Sequence, residues 1–174
     1  MADNTIPTDV DLGFSYEYGV DVNLGTGETE DWQRVRFISQ VDPTVSIKSE
    51  DGATYEDLGA DHPVKVGETW GLNFYVQQQR MADGNFLPEV EAILAATAPD
   101  ANGNKATLPF RWYDKPSGGA TPNPKQAFAG RGTVAVTRAN NANSGIGGWN
   151  VTVTGQGPRE QLATNPAAVT TPAP

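Results

Sequence analysis

Between Leu12 and Leu24 apolar or aromatic residues (Leu12, Phe14, Tyr16, Tyr18, Val20, Val22 and Leu24) alternate with Gly13, Ser15, Glu17, Gly19, Asp21 and Asn23. Successive side chains of a strand point to opposite faces, so this pattern predicts a long strand with one wet face. Turn formers fill Gly25 to Glu30, and in Trp32 to Ser39 Val35 and Phe37 alternate with Arg34 and Arg36. The two segments are expected to form a hairpin. Its apolar faces must coincide, so paired residue numbers sum to an odd value. A sum of 55 sets Val20 opposite Val35, Tyr18 opposite Phe37 and Asp21 opposite Arg34, the last an opposite-charge pair. Sums of 53 and 57 satisfy the same pattern.

Further along, Thr44 to Lys48 is a short strand-like run, and Glu50 to Gly67 lacks sustained apolar periodicity. The latter reads as a long excursion, of the kind that is usually functional or ordered by a partner. Trp70, Leu72, Phe74 and Val76 restore the alternation and predict a second strong strand. After the Asp83-Gly84-Asn85 turn, Pro88 suits a helix start, and Glu89 and Glu91 suit the positive end of its dipole. Val90, Ile93, Leu94 and Thr97 then follow the spacing of one buried helical face, ended near Pro99. Leu108, Phe110 and Trp112 predict another strand, followed by a glycine- and proline-rich loop over Asp114 to Gln126. Gly132 to Arg138 and Trp149 to Thr154 read as a last hairpin with a wide connection. The expected organisation is an amino-terminal arm at 1–10, a β domain at 11–157 and a carboxyl-terminal arm at 158–174. The fold class is mainly β, an antiparallel sandwich or barrel-like fold with one short helix, long loops and terminal arms.

Composition narrows the chemistry. The 174 residues suit one domain, and a hydrophobic share of 37% with 19 glycines and 13 prolines favours turns over long helices. The absence of cysteine removes disulfides, thiol catalysis and thiolate metal sites, and the lone His62 cannot hold a metal by itself. The acidic, polar start lacks the basic and apolar regions of an export signal, and no apolar helical stretch is long enough to span a bilayer. Net charge is −9, which disfavours gripping DNA. Met1 to Glu68 carries 15 acids and 4 bases, whereas the remainder carries 6 acids and 8 bases. That asymmetry fits either a solvated acidic surface or opposite patches that guide head-to-tail association of copies.

No nucleophile elbow, phosphate-binding loop or dinucleotide fingerprint is present. Asp100 to Asn104 resembles the start of a calcium loop, but its glycine comes too early and Arg111 stands where the bidentate glutamate belongs, so it reads as a turn. Asn150-Val-Thr152 matches a glycosylation acceptor, which means little without a secretory signal. Glu56-Asp57 and Glu89/Glu91 are acid pairs without a predicted cleft, and they read as surface acids rather than a glycosidase dyad. Neither catalytic residues nor cofactors nor a metal are expected. Trp32, Trp70, Trp112 and Trp149 lie in or beside predicted strands and read as packing residues, with a sugar-stacking platform as the rival reading.

Taken in order, Tyr55-Glu-Asp-Leu-Gly59, Trp70-Gly-Leu-Asn-Phe-Tyr-Val76, Pro88-Glu-Val-Glu-Ala-Ile-Leu94, Arg111-Trp-Tyr-Asp114, Ala127-Phe-Ala-Gly-Arg131 and Trp149-Asn-Val-Thr-Val-Thr-Gly-Gln-Gly-Pro158 resemble the major tail tube proteins of long, non-contractile-tailed bacteriophages, especially those infecting actinobacteria. Together they cover most of Trp32 to Pro158. The resemblance implies a sandwich-like β core with one helix, hexameric rings, a continuous inner barrel, and loops and arms that join successive rings. Some members append an immunoglobulin-like domain, where this sequence reads as an arm. Partners implied are further copies of the chain, other tail proteins at the tube ends, and DNA passing through without specific binding, with no membrane. The implied location is the virion tail, reached from the host cytoplasm. Glu17, Asp21, Asn23, Arg34 and Arg36 are then candidates for the lumen face, with the outer wall or a neighbour as the alternative. Tyr55, Glu56, Asp57 and Asp61 are candidates for an inter-ring loop. A related phage or secretion-system tube component and a carbohydrate-binding β-sandwich are the other readings.

Overall fold

The computed structural model describes residues 10–140 and 142–169. Among them the chain is mainly β, with strands β1 (Tyr18–Asn23), β2 (Trp32–Arg34), β3 (Ile38–Asp51), β4 (Pro63–Gln77), β5 (Thr107–Asp114), β6 (Ala127–Ala139) and β7 (Gly148–Gln161), and one α-helix, α1 (Pro88–Ala95). All pairings are antiparallel, and they form one sheet in the order β2-β1-β5-β6-β7-β4-β3.

The two outermost strands are consecutive in the chain. Arg34 and Ile38 are four peptide steps apart, a reach of about 14 Å at most. Seven strands laid flat at about 4.8 Å spacing would separate the edges by about 29 Å. The sheet therefore curls until its ends approach, and residues 35–37 bridge them. The Val35 amide donates to the Val20 carbonyl on β1 (2.9 Å), and the Phe37 carbonyl accepts from the Gln77 amide on β4 (3.0 Å). Phe37 stands at φ 56° and Gln40 at φ 55°, left-handed positions that turn the chain at this corner. The ladder between β3 and β4 shifts register between Ser39 and Asp42, which bends the strand further.

The curled sheet encloses the core. Val20, Val22, Leu72, Phe74, Phe110, Trp112, Val151 and Val153 are all buried within it. Trp70 and Trp112 pack with ring centroids 5.0 Å apart. Space for the Trp70 indole is left by two glycines: a Cβ on Gly155 would lie 2.3 Å from that ring and one on Gly130 would lie 2.4 Å from it. The indole N–H donates to the Gly157 carbonyl at 3.0 Å.

The first hairpin takes the register with sum 55, pairing Asp21 with Arg34 and Asn23 with Trp32. It is shorter than expected at both ends. Tyr18 does not meet Phe37, because the left-handed turn hands the chain over to β4. Leu12, Phe14 and Tyr16, expected in the strand, lie outside it and are exposed, the rings of Phe14 and Tyr16 stacking at 5.3 Å. The segment expected to be an irregular excursion, Glu50 to Gly67, holds the ends of β3 and β4 and a 3-10 turn at Tyr55–Asp57. Its pairing is carried by the backbone ladder, and no buried face imposes apolar periodicity on it.

Helix α1 begins with Pro88 and buries Val90 and Ile93. It ends at Ala95, so Thr97, expected on the buried face, is exposed and its hydroxyl donates to the Leu94 carbonyl. At the other end of the chain, residues 158–161, expected in an arm, are the last four of β7, and Phe128 pairs with Gln161. Buried Asn165 then donates to the carbonyls of Asp114 and Asn123, which fastens the following turn (Pro166–Val169) to the chain's own loop. The first nine residues of the expected amino-terminal arm lie outside the described residues.

Candidate functional site: a projecting hairpin and a cationic hollow

Two features stand apart from the closed trunk. One is the distal part of the β3–β4 hairpin. Its ladder runs from Ile38 opposite Val76 to Asp51 opposite Pro63, but only the portion near Trp70 and beyond rests on the core. Beyond it, Ile47 is 65% exposed, Val66 60%, Tyr55 99% and Leu58 92%. A two-stranded ribbon is only marginally stable by itself in water, and this one carries apolar side chains on both strands.

Its tip is nevertheless tightly built. Asp57 accepts from the Thr54 amide (2.7 Å) and the Thr54 hydroxyl (3.1 Å). Its other oxygen lies 3.3 Å from His62 Nδ1. The Thr54 amide bond leads the contacts that lower the pKa of Asp57, and the Thr54 hydroxyl does the same for Glu56. Asp51 accepts from the amides of Ala53 (2.9 Å) and His62 (3.1 Å), closing the base of the tip. Lower on the ribbon, Glu68 accepts from Lys65 (2.6 Å) and Arg159 (2.8 Å), and these bonds, Lys65's first, bring its pKa down to about 2. Between Glu50 and Asp61 there are five acids and no Lys or Arg. The four candidate loop residues, Tyr55, Glu56, Asp57 and Asp61, thus sit together on one ordered acidic tip.

The other feature is a hollow of about 570 Å³ against the outer face of β1, β2 and β5, walled by the loop after β5 and the turn at 166–168. At its floor lies Asp21. Asp21 lies opposite Arg34 in the ladder, as expected, but it is neither solvated nor ion-paired to it: the residue is 3% exposed, and it accepts from Arg111 Nε (2.6 Å) and from the Tyr113 hydroxyl (2.9 Å). Register brings both β2 and β5 beside β1, and the β5 partners win its carboxylate. Burial, then the charge of Asp21, pushes the Tyr113 hydroxyl well above its ordinary pKa, so it stays protonated and donates. Arg111 also stacks on the Trp32 ring at 4.7 Å.

The remaining candidates for a common lumen face are dispersed. Glu17 accepts from the Phe14 amide (3.0 Å), the Ser117 amide (2.8 Å) and the Ser117 hydroxyl, the last of these being the main cause of its lowered pKa. Asn23 organises the β1–β2 turn by accepting from the amides of Gly25 and Asp31. Arg36 leaves for the helix, where its Nε and Nη2 donate to Glu89 at 2.8 and 3.0 Å. Glu89 is 1% exposed, and although burial opposes its ionisation, the bonds from Arg36 outweigh it and keep the pKa low. Only Arg34 points to open space without an ion-pair partner among the described residues.

No protein-family model and no curated protein matches the chain. Among the described residues no group of three or more His, Asp or Glu could hold a metal, and no helix is long and apolar enough to cross a membrane. Trp70 and Trp112 are buried, whereas Trp32 and Trp149 are half-buried, the first stacked with Arg111 and the second edge-on to Phe86. Nothing in the sequence pattern marks Glu89, Arg111, Tyr113 and Lys115 as site residues. Arg111 and Tyr113 share a strand face by their spacing, but their meeting with Asp21 depends on a pairing some ninety residues away in the chain.

Proposed function

We propose that the protein is a structural tube subunit, the major tail tube protein of a long-tailed bacteriophage, assembling into stacked hexameric rings around a channel that passes DNA. The observation that carries this reading is the projecting hairpin: an ordered ribbon with Ile47, Val66, Tyr55 and Leu58 exposed, attached to a closed trunk. Exposed apolar side chains gathered on one projection favour a protein contact, and among the described residues these four stay largely open to solvent. The outer edge of β3 is unpaired among the described residues and offers backbone donors and acceptors to a neighbour. A net charge of −9 suits a wall past which DNA, with about one negative charge per 1.7 Å, moves without sticking.

In this role the trunk supplies rigidity, the hairpin joins copies, and DNA meets a surface that releases few counterions. Asp21 is buried, so Asp21→Lys would test folding rather than channel charge. Negative-stain electron microscopy of the concentrated protein, with solution mass measured in parallel, is the test. Rings or tubes with a central hole are expected. A chain that stays monomeric at every concentration and salt would count against the reading.

A further inference from the structure

Among the described residues the cationic hollow carries more positive than negative charge. Three cations face it, Arg34, Arg111 and Lys115, against one carboxylate, Asp21. Arg111 and Tyr113 already engage that carboxylate. Arg34 and Lys115 have no ion-pair partner among the described residues, and both line the hollow; burial, then the charge of Arg34, lowers the pKa of Lys115. Two unpaired cations at a partly enclosed site repel each other, and an anion seated between them would relieve that repulsion. The walls are not purely polar, for Trp32, Pro116 and Pro122 line the same hollow.

The hairpin tip is its chemical complement. It bears five acids without a Lys or Arg, and Tyr55 and Leu58 stand out from it almost fully exposed. Since both side chains are free of contact with their own chain, the tip does not occupy its own hollow. We propose that the hollow bounded by Arg34 and Lys115 receives the acidic tip of a second copy, with Glu56 and Asp61 toward the cations and Tyr55 or Leu58 against the proline and tryptophan walls. The inference rests on the tube reading and specifies a contact for it. Because tip and hollow are different surfaces, the contact is heterologous and leaves a free tip and a free hollow at the two ends, which allows open-ended stacking. Nucleic-acid phosphate is the other anion to consider. The strongly acidic chain disfavours it, and the apolar walls suit a peptide carrying an aromatic residue beside its acids.

Charge exchange between two full-length variants tests the contact. One carries Arg34→Glu and Lys115→Glu, the other Glu56→Lys and Asp61→Lys; these side chains lie at the surface or rim, and unchanged thermal unfolding checks that each variant is folded. Each alone is expected to need about tenfold more protein than wild type to assemble, since attraction becomes repulsion. An equal mixture of the two restores assembly, because reversed tips then meet reversed hollows. Hollow-reversed protein that assembles like wild type overturns the contact and leaves the tube reading standing. Mixing without rescue also overturns it. Unchanged assembly with loss of duplex-DNA retention in a gel assigns the hollow to nucleic acid and likewise overturns it. A wild-type chain that never self-associates overturns both the contact and the reading beneath it.

Discussion

Strand β4 contains two different environments in fifteen consecutive residues. In its second half Trp70, Leu72, Phe74 and Val76 alternate and are buried, with Leu72 at 0% exposure. In its first half Val64 and Val66 also alternate, yet they are 47% and 60% exposed. Both halves pair with β3 through the same kind of backbone ladder. The difference is what lies beneath: the second half closes over β5, β6 and β7, whereas the first half extends past them. Backbone pairing makes a strand, but burial stabilises it, and the first half of β4 has the pairing without the burial.

That contrast can be broken most forcefully at Trp70. Trp70→Ala empties the notch formed by Gly130 and Gly155 and removes the contact with Trp112, so a loss of about 3–5 kcal/mol is expected in denaturant unfolding. A loss below about 1 kcal/mol would mean that the trunk does not depend on this half of β4. Val64→Ser combined with Val66→Ser on the exposed half is expected to change monomer stability by no more than about 0.5 kcal/mol, while clearly weakening assembly measured by light scattering. A large stability loss there would show that the ribbon belongs energetically to the trunk.

The smallest effect expected is one of pH, at the joint between the halves. Glu68 ordinarily titrates near 4.5, and its bonds to Lys65 and Arg159 hold it at about 2 in the folded chain. A group with a depressed folded pKa contributes stability above its ordinary value, and that contribution disappears as pH falls from about 4.5 to about 2. Glu68→Gln is expected to flatten the acid side of the unfolding midpoint across that interval and to leave its shape near neutrality unchanged. An identical acid limb in both proteins would sink the assignment.

How far these features could be read in advance depends on how local their causes are. The alternation at Val20 and Val22, the register of the first hairpin, the proline-started helix, and the strands around Trp70, Trp112, Val134 and Val151 were all legible, because each follows from side chains close in sequence. Fold class also follows from such local patterns, and the mainly β character with one short helix was legible in them.

Only tertiary structure decided the rest. Leu12, Phe14 and Tyr16 have a strand's pattern but no strand beside them among the described residues, since the chain turns where Glu17 binds Ser117, a hundred residues away. Asp21 has the sequence of a wet-face acid, yet β5 arrives beside it with Arg111 and Tyr113 and takes it out of water. Arg36 and Glu89 find each other across fifty-three residues, and Arg34 is left with Lys115 at the edge of an open hollow. Periodicity determines which side of a strand a residue takes, because that is a property of the backbone alone. Whether that side meets water, a carboxylate or another strand depends on which distant segment the closed sheet brings against it.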